Sequence, residues 1–94
     1  MTESTVRVES LPESVVELLR AVRDALDIPL PGLTDADERA HAVLLLRRSH
    51  EARLILACVL DKGHDIAPAA GALRAWTARW PVTYTPWPGD GGAA

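Results

Sequence analysis

Residues 35–61 read DADERAHAVLLLRRSHEARLILACVLD, a run with neither proline nor glycine. Thr34 and Asp37, three apart, form a capping box at its start, and Gly63 is a left-handed stop just beyond its end. The run therefore predicts one long helix. Small and apolar residues recur along it at alternating steps of three and four, which places them on one helix face. This predicted seam consists of Ala42, Leu45, Ser49, Ala52, Leu56 and Val59.

A further helix is predicted on either side of this segment. Ser10 and Glu13 form a capping box for a helix near 11–26, and Pro12 suits its first turn. Asp65 can cap a third helix near 66–80, which Pro81 ends. The expected fold is all-α, a three-helix bundle with a long central helix and an extended C-terminal strap over residues 82–88. The core expected between the helices contains Leu19, Val22, Leu45, Ala52, Leu56, Leu73 and Trp76. The pairs Arg20–Asp24 and Arg23–Asp27 are expected to form a solvated ladder on the first helix.

Composition limits the class of protein. The chain has 94 residues, which we divide into a flexible arm (1–9), one helical domain (10–88) and a loose tail (89–94). A net charge of −3 argues against a surface built for nucleic acid or anionic lipid. The single cysteine, Cys58, excludes an internal disulfide and fits a reducing compartment. The longest apolar run, 54–60, is too short for a membrane span, and the polar N-terminus does not read as a signal peptide. We expect a cytoplasmic protein.

A family resemblance adds a fold expectation. The run 25–29 (ALDIP), His41 and His50 on a long second helix, and a closing WPVTY segment at 80–84 resemble small uncharacterised actinobacterial helical proteins found near mobile-element genes. The resemblance is one of pattern and spans residues 15–87. That family has no assigned activity, so it implies a helical fold and transfers no functional residues.

The polar residues do not form a recognisable catalytic or metal-binding motif. His41 and His50 lie near opposite sides of the helix and cannot share a metal ion. Cys58, Asp61 and His64 are the best available metal set, but their spacing matches no known motif. Ser49 and His50 are neighbours that point about 100° apart, which is wrong for a nucleophile and its base. We therefore expect no enzyme activity, no cofactor and no metal.

A nucleic-acid-binding function is an alternative to a protein-interaction function. The second and third helices, joined by residues 61–65, could form a degenerate helix-turn-helix. The first turns of the would-be recognition helix offer no side chain that hydrogen-bonds base edges, and Arg74 and Arg79 could reach only phosphates. Nucleic acid is therefore an unfavoured partner. A non-catalytic accessory subunit of an enzyme is a third alternative.

The long helix favours a protein partner. It is apolar on a second side, interrupted by Arg47 and Glu51, and a helix apolar on two sides is central or meets another subunit. We predict a protein-interaction or regulatory module that self-associates as an antiparallel homodimer, with Arg47 of one copy near Glu51 of the other. The competing expectation is that the third helix and the strap cover this side, and Trp87 either closes the bundle or is an exposed anchor. The predicted partner-binding residues are Val43, Leu44, Arg47, Glu51, Leu54, Ile55, Cys58 and Trp87.

Overall fold

The computed structural model describes residues 6–88 as a bundle of three α-helices. A short 3-10 helix, Val8–Ser10, precedes α1 (Glu13–Leu26), α2 (Asp35–Leu60) and α3 (Ile66–Arg79). The predicted all-α class and three-helix architecture are confirmed, and every helix ends within two residues of its expected bounds. Two residues of the predicted arm belong to the 3-10 helix, while residues 1–5 and the predicted tail at 89–94 lie outside the described part.

Local capping explains where α2 begins and ends. The Thr34 hydroxyl accepts a hydrogen bond from the Asp37 amide at 3.0 Å, as the capping box predicts. Gly63 has a φ of +72°, the left-handed conformation expected of a residue that stops a helix. The start of α1 differs from the prediction because Pro12 occupies its N-cap. The Ser10 hydroxyl instead donates to the Arg7 carbonyl inside the 3-10 helix, so it caps nothing in α1.

The core lies mainly between α1 and α3, which run side by side in the same direction. Four of the seven residues in the central cluster are alanines, and small side chains let the two backbones approach closely. The C-terminal half of α2 packs onto this pair through Ile55. The cluster consists of Leu18, Ala21, Ala25, Ile55, Ala69, Ala70 and Leu73.

The register of α2 differs from the predicted seam. Its buried residues are Leu44, Arg48, Ala52 and Ile55; Ala52 matches the prediction, and the other three lie one position before the predicted Leu45, Ser49 and Leu56. Ala42, Leu45 and Ser49 are exposed, and so is Leu19 on α1. Val22, Leu56 and Trp76 pack partly buried against the core, whereas Ala52 and Leu73 are fully inside it. The predicted buried face of α2 was wrong because the stripe that is buried contains an arginine, and a hydropathy pattern assigns arginine to solvent.

The charged face of α1 is not the predicted ladder. Arg20 pairs with Glu17 at 2.9 Å, and Arg23 pairs with its neighbour Asp24 at 2.9 Å. Arg74 on α3 then bridges Glu17 at 3.3 Å and Asp24 at 3.1 Å. Glu17 and Asp24 therefore each pair with an arginine of α1 and also with Arg74, so they join α1 to α3.

After α3 the chain turns back and pairs with the loop between α1 and α2. Pro31 and Pro86 form an isolated antiparallel bridge. The Gly32 amide donates to the Thr85 carbonyl at 2.7 Å, and the Trp87 amide donates to the Leu30 carbonyl at 2.8 Å. This returning segment, residues 81–87, packs against the N-terminal half of α2, where Tyr84 contacts His41 and the Thr85 amide donates to Asp37.

Candidate protein-interaction surface

A buried arginine holds the three helices together next to the candidate surface. Arg48 is 6% exposed, and its guanidinium donates to the Ala25 carbonyl at 2.9 Å. It also donates to the Trp80 carbonyl from Nε at 3.3 Å and from Nη2 at 3.0 Å. Those carbonyls lie at the C-terminal ends of α1 and α3, where the last carbonyls lack helical partners and carry the negative end of the helix dipole. One cation thus joins the ends of two helices to the middle of α2.

The neighbouring arginine holds the side chain of the same tryptophan. The Arg47 guanidinium carbon lies 3.8 Å from the centroid of the Trp80 ring, a cation–π contact. Trp80 is 41% exposed, so part of its ring faces solvent. Its backbone is held by Arg48 and its ring by Arg47. Trp80 is therefore held in place at the end of α3, where its side chain forms one wall of a groove.

A groove runs between this wall and α2. It has a volume of about 520 Å³, and we call it the arginine groove. Its floor is apolar, and arginines from two helices stand along its edges. It is lined by Arg39, Ala40, Val43, Leu44, Arg47, Arg79, Trp80, Pro81 and Thr83.

The surface continues along α2 into a shallower depression of about 360 Å³. This depression is lined by Val43, Leu46, Arg47 and His50, and it shares two residues with the arginine groove. Leu46 is 72% exposed and Val43 is 66% exposed. Two large apolar side chains one turn apart thus lie in solvent next to an apolar groove, which is the pattern of a contact surface.

The returning segment anchors the far wall of the groove. The Tyr84 side chain is buried, its hydroxyl donates to the Pro29 carbonyl, and the His41 ring meets it edge-on at 5.6 Å. Burial raises the pKa of the Tyr84 phenol, and the nearby Arg48 cation opposes that rise. The Asp37 carboxylate accepts from the Thr85 amide at 3.2 Å. The pKa of Asp37 is lowered, first by its hydrogen bond with the Thr34 side chain and then by the Thr85 amide.

The predicted partner-binding residues divide into two groups. Val43, Arg47 and Leu54 are exposed on α2, and Trp87 is 39% exposed although its amide is held by Leu30. Leu44 and Ile55 are buried within the chain: Leu44 lies in the lining of the arginine groove, and Ile55 belongs to the central cluster. Cys58 is half-buried beside Val59 and Trp76 in a second groove, near the turn between α2 and α3.

Glu51 does not suit the predicted role opposite Arg47 of another copy. Its side chain is half-buried, and its Oε1 is enclosed without a hydrogen-bond partner among the described residues. Arg47 already contacts Trp80. Sequence reasoning missed Leu46, Trp80 and Arg48. A signal for Trp80 was present, because it directly precedes the proline that ends α3 and so stands at an open end of the bundle.

The polar residues considered for chemistry have structural contacts. The Ser49 hydroxyl donates to the Leu46 carbonyl at 3.1 Å within α2, which leaves it turned away from a partner base. Within residues 6–88 no group of three metal-ligating side chains is gathered closely enough to hold an ion. His41 packs against Tyr84 and is half-buried.

The packing of α3 leaves few of its residues free for the contacts that a helix-turn-helix makes with DNA. Ala69 and Ala70, in the first turns of α3, are buried against the rest of the core. Arg74, one of the two arginines considered for phosphate contacts, is bound to Glu17 and Asp24. Arg79 lines the arginine groove.

Among residues 6–88, no helix combines the length and apolar character needed to cross a bilayer. No protein-family model matches the chain, and no curated protein or solved structure matches it significantly.

Proposed function

We propose that this chain is a small helical protein-interaction module without catalytic activity, and that it binds its partner through the outer side of α2 and the arginine groove. The observation that supports the proposal most is the pair Val43 and Leu46. Two large aliphatic side chains, 66% and 72% exposed, lie one turn apart on a rigid helix beside an apolar groove. Covering each such side chain contributes up to about 1.5–3 kcal/mol.

The surface is also preorganised. Arg48 holds the backbone of Trp80 and Arg47 holds its ring, so the groove wall is in place before a partner arrives. A surface that needs no ordering on association loses less conformational entropy, which favours binding. A regulatory role would follow from occupancy of this surface. The actinobacterial origin and cytoplasmic location expected from the sequence belong to the same proposal.

Two leucines on α2 provide a matched test. Leu46 lies in the proposed surface and is 72% exposed. Leu60, at the end of α2, is 77% exposed and lies outside both the arginine groove and the adjoining depression. Leu46→Glu and Leu60→Glu make the same chemical change at equally open sites, so both should fold with thermal stabilities close to the parent. Affinity capture from the native cell should recover partner proteins with the parent and Leu60→Glu but not with Leu46→Glu. Equal recovery by all three would exclude this surface.

A further inference from the structure

We propose that the arginine groove receives an acidic amphipathic helix of another protein; the inference rests on the proposed function and names the class of partner. The groove edges carry Arg39, Arg47 and Arg79, and the adjoining depression adds His50. Within the described part of the chain, the linings contain no carboxylate. The whole chain carries 13 acidic and 10 basic residues, so this surface has a local positive charge that the molecule as a whole lacks.

Arg39 and Arg79 are available for an external partner, and Arg47 adds its positive charge while it contacts the Trp80 ring. Three other arginines, Arg20, Arg23 and Arg74, form ion pairs with acids of α1. Among residues 6–88 no such ion pair involves Arg39, Arg47 or Arg79. A carboxylate on an incoming chain would therefore meet a guanidinium without displacing an existing acid, and opposite charges at the edge of an interface steer association and select the partner.

The shape of the surface fits a short helix. From Arg39 to His50 it follows α2 for 11 steps of helical rise, roughly 16 Å, or three turns. The surface offers Val43, Leu46 and Pro81 to the apolar side of a helix, which would present side chains at i, i+3 or i+4, and i+7. Acidic residues flanking that apolar side would reach the arginines on the two edges.

Two other occupants match these observations less well. A second copy related by a two-fold axis would bring the same patch onto itself, so Arg39, Arg47 and the nearby exposed Arg53 of both copies would crowd one narrow contact. A nucleic acid would satisfy the arginines, but it would leave the aliphatic floor against a polar, charged backbone. An acidic helix satisfies the floor and the edges together.

The test is an unbiased selection with a defined probe. A yeast-displayed library of helical peptides, each about 14 residues long and randomised on both polar and apolar positions, is selected for binding to the full chain. We expect enriched peptides with aliphatic residues at helical spacing flanked by Asp and Glu. Their affinity should fall with added salt, because edge charges are screened.

Matched charge reversals locate the contact. The double variant Arg39→Glu/Arg79→Glu should weaken the selected peptides by about tenfold or more. Lys62→Glu, a charge reversal at an exposed position in the turn beyond α2 and outside both linings, should leave binding within about twofold. A peptide with its acids changed to lysine should bind the double variant better than the parent chain. Thermal unfolding of all variants verifies that they fold.

The possible outcomes separate the two proposals. Peptides that compete at Leu46 but show no acidic preference would overturn this inference and leave the proposed function standing. Peptides indifferent to both Leu46→Glu and the arginine reversals would overturn both. Displacement by a DNA duplex at comparable affinity would favour nucleic acid instead, and concentration-dependent light scattering that Leu46→Glu abolishes would make the second copy the occupant.

Discussion

At the scale of single residues, the fold depends on a charge that is buried without a carboxylate. Arg48 donates three hydrogen bonds to the carbonyls of Ala25 and Trp80. The helix ends supply partial negative charge in place of a counter-ion, and the arginine in turn satisfies carbonyls that have no helical partner. The desolvation cost of the guanidinium is thus offset by groups that would themselves be costly to bury alone.

We expect Arg48→Met to lower the free energy of unfolding by about 2–3 kcal/mol, because the side chain keeps its length while two carbonyls lose a charged donor. Arg48→Lys should recover only part of this, since one ammonium group lacks the planar fork that reaches both helix ends. Urea denaturation measures both. Arg47→Met is the neighbouring control and should cost about 1 kcal/mol or less, the value of an exposed cation–π contact. Equal losses at the two positions would show that the buried hydrogen bonds contribute nothing specific.

At the scale of elements, the contact between the returning segment and the interhelical loop depends on a missing side chain. A Cβ at Gly32 would lie 2.8 Å from the Thr85 carbonyl oxygen and 2.8 Å from Asp37 Oδ2. The carboxylate could rotate away, but the carbonyl belongs to the backbone and could move only with the segment itself. Gly32 is therefore required by close approach.

Gly32→Ala should destabilise the protein by about 1–3 kcal/mol through overpacking. In hydrogen exchange, the Trp87 amide, which is bonded to Leu30, should lose its protection because the segment moves away. Gly71→Ala is the matched control, as its Cβ would meet nothing within 4 Å. Alanine in the middle of α3 should raise stability by about 0.5–1 kcal/mol and leave the Trp87 amide protected. Unchanged protection in Gly32→Ala would contradict the close approach.

The elements also show which features a sequence can predict. Caps and stops are local chemistry, so Thr34, Gly63 and Pro81 were enough to bound α2 and to end α3. The phase of α2 was wrong because Arg48 occupies a core position for the sake of carbonyls that are distant in sequence. The loop contacts are equally non-local, since Gly32 and Thr85 meet only after the bundle forms. Of the candidate surface, Val43 and Arg47 followed from the pattern, whereas Trp80 depended on where α3 ends in space.

At the scale of the whole molecule, ionisable contacts define a pH range of stability. The pKa of Glu17 is lowered, first by its hydrogen bond with Arg20, and that of Asp24 first by Arg23 and then by Arg74. The pKa of Asp37 is also lowered, for the reasons given above. A carboxyl whose folded pKa lies below its unfolded value stabilises the fold above that unfolded value, and the contribution is lost as the pH falls through the folded pKa. Tyr84 has a raised pKa, so its contribution is present below about pH 10 and is lost as the pH rises.

We therefore expect the thermal midpoint to be level near neutral pH and to fall on both sides, below about pH 4.5 and above about pH 10. Tyr84→Phe should flatten the alkaline limb, because the group that ionises is gone, while leaving the acid limb in place. Arg74→Met should make the fall of the thermal midpoint at acid pH less steep, since Glu17 and Asp24 lose a shared partner. Differential scanning fluorimetry across pH measures the midpoints. An alkaline limb unchanged in Tyr84→Phe would assign that loss to other groups.

The contacts of Arg48 also bear on the order in which the chain folds. Its bonds join residues 23 and 32 positions apart in sequence, so they form only after all three helices have docked. Interactions that form after the transition state slow unfolding without speeding folding. We therefore expect the buried guanidinium to prolong the lifetime of the native state by slowing its unfolding, with little effect on how fast the chain folds.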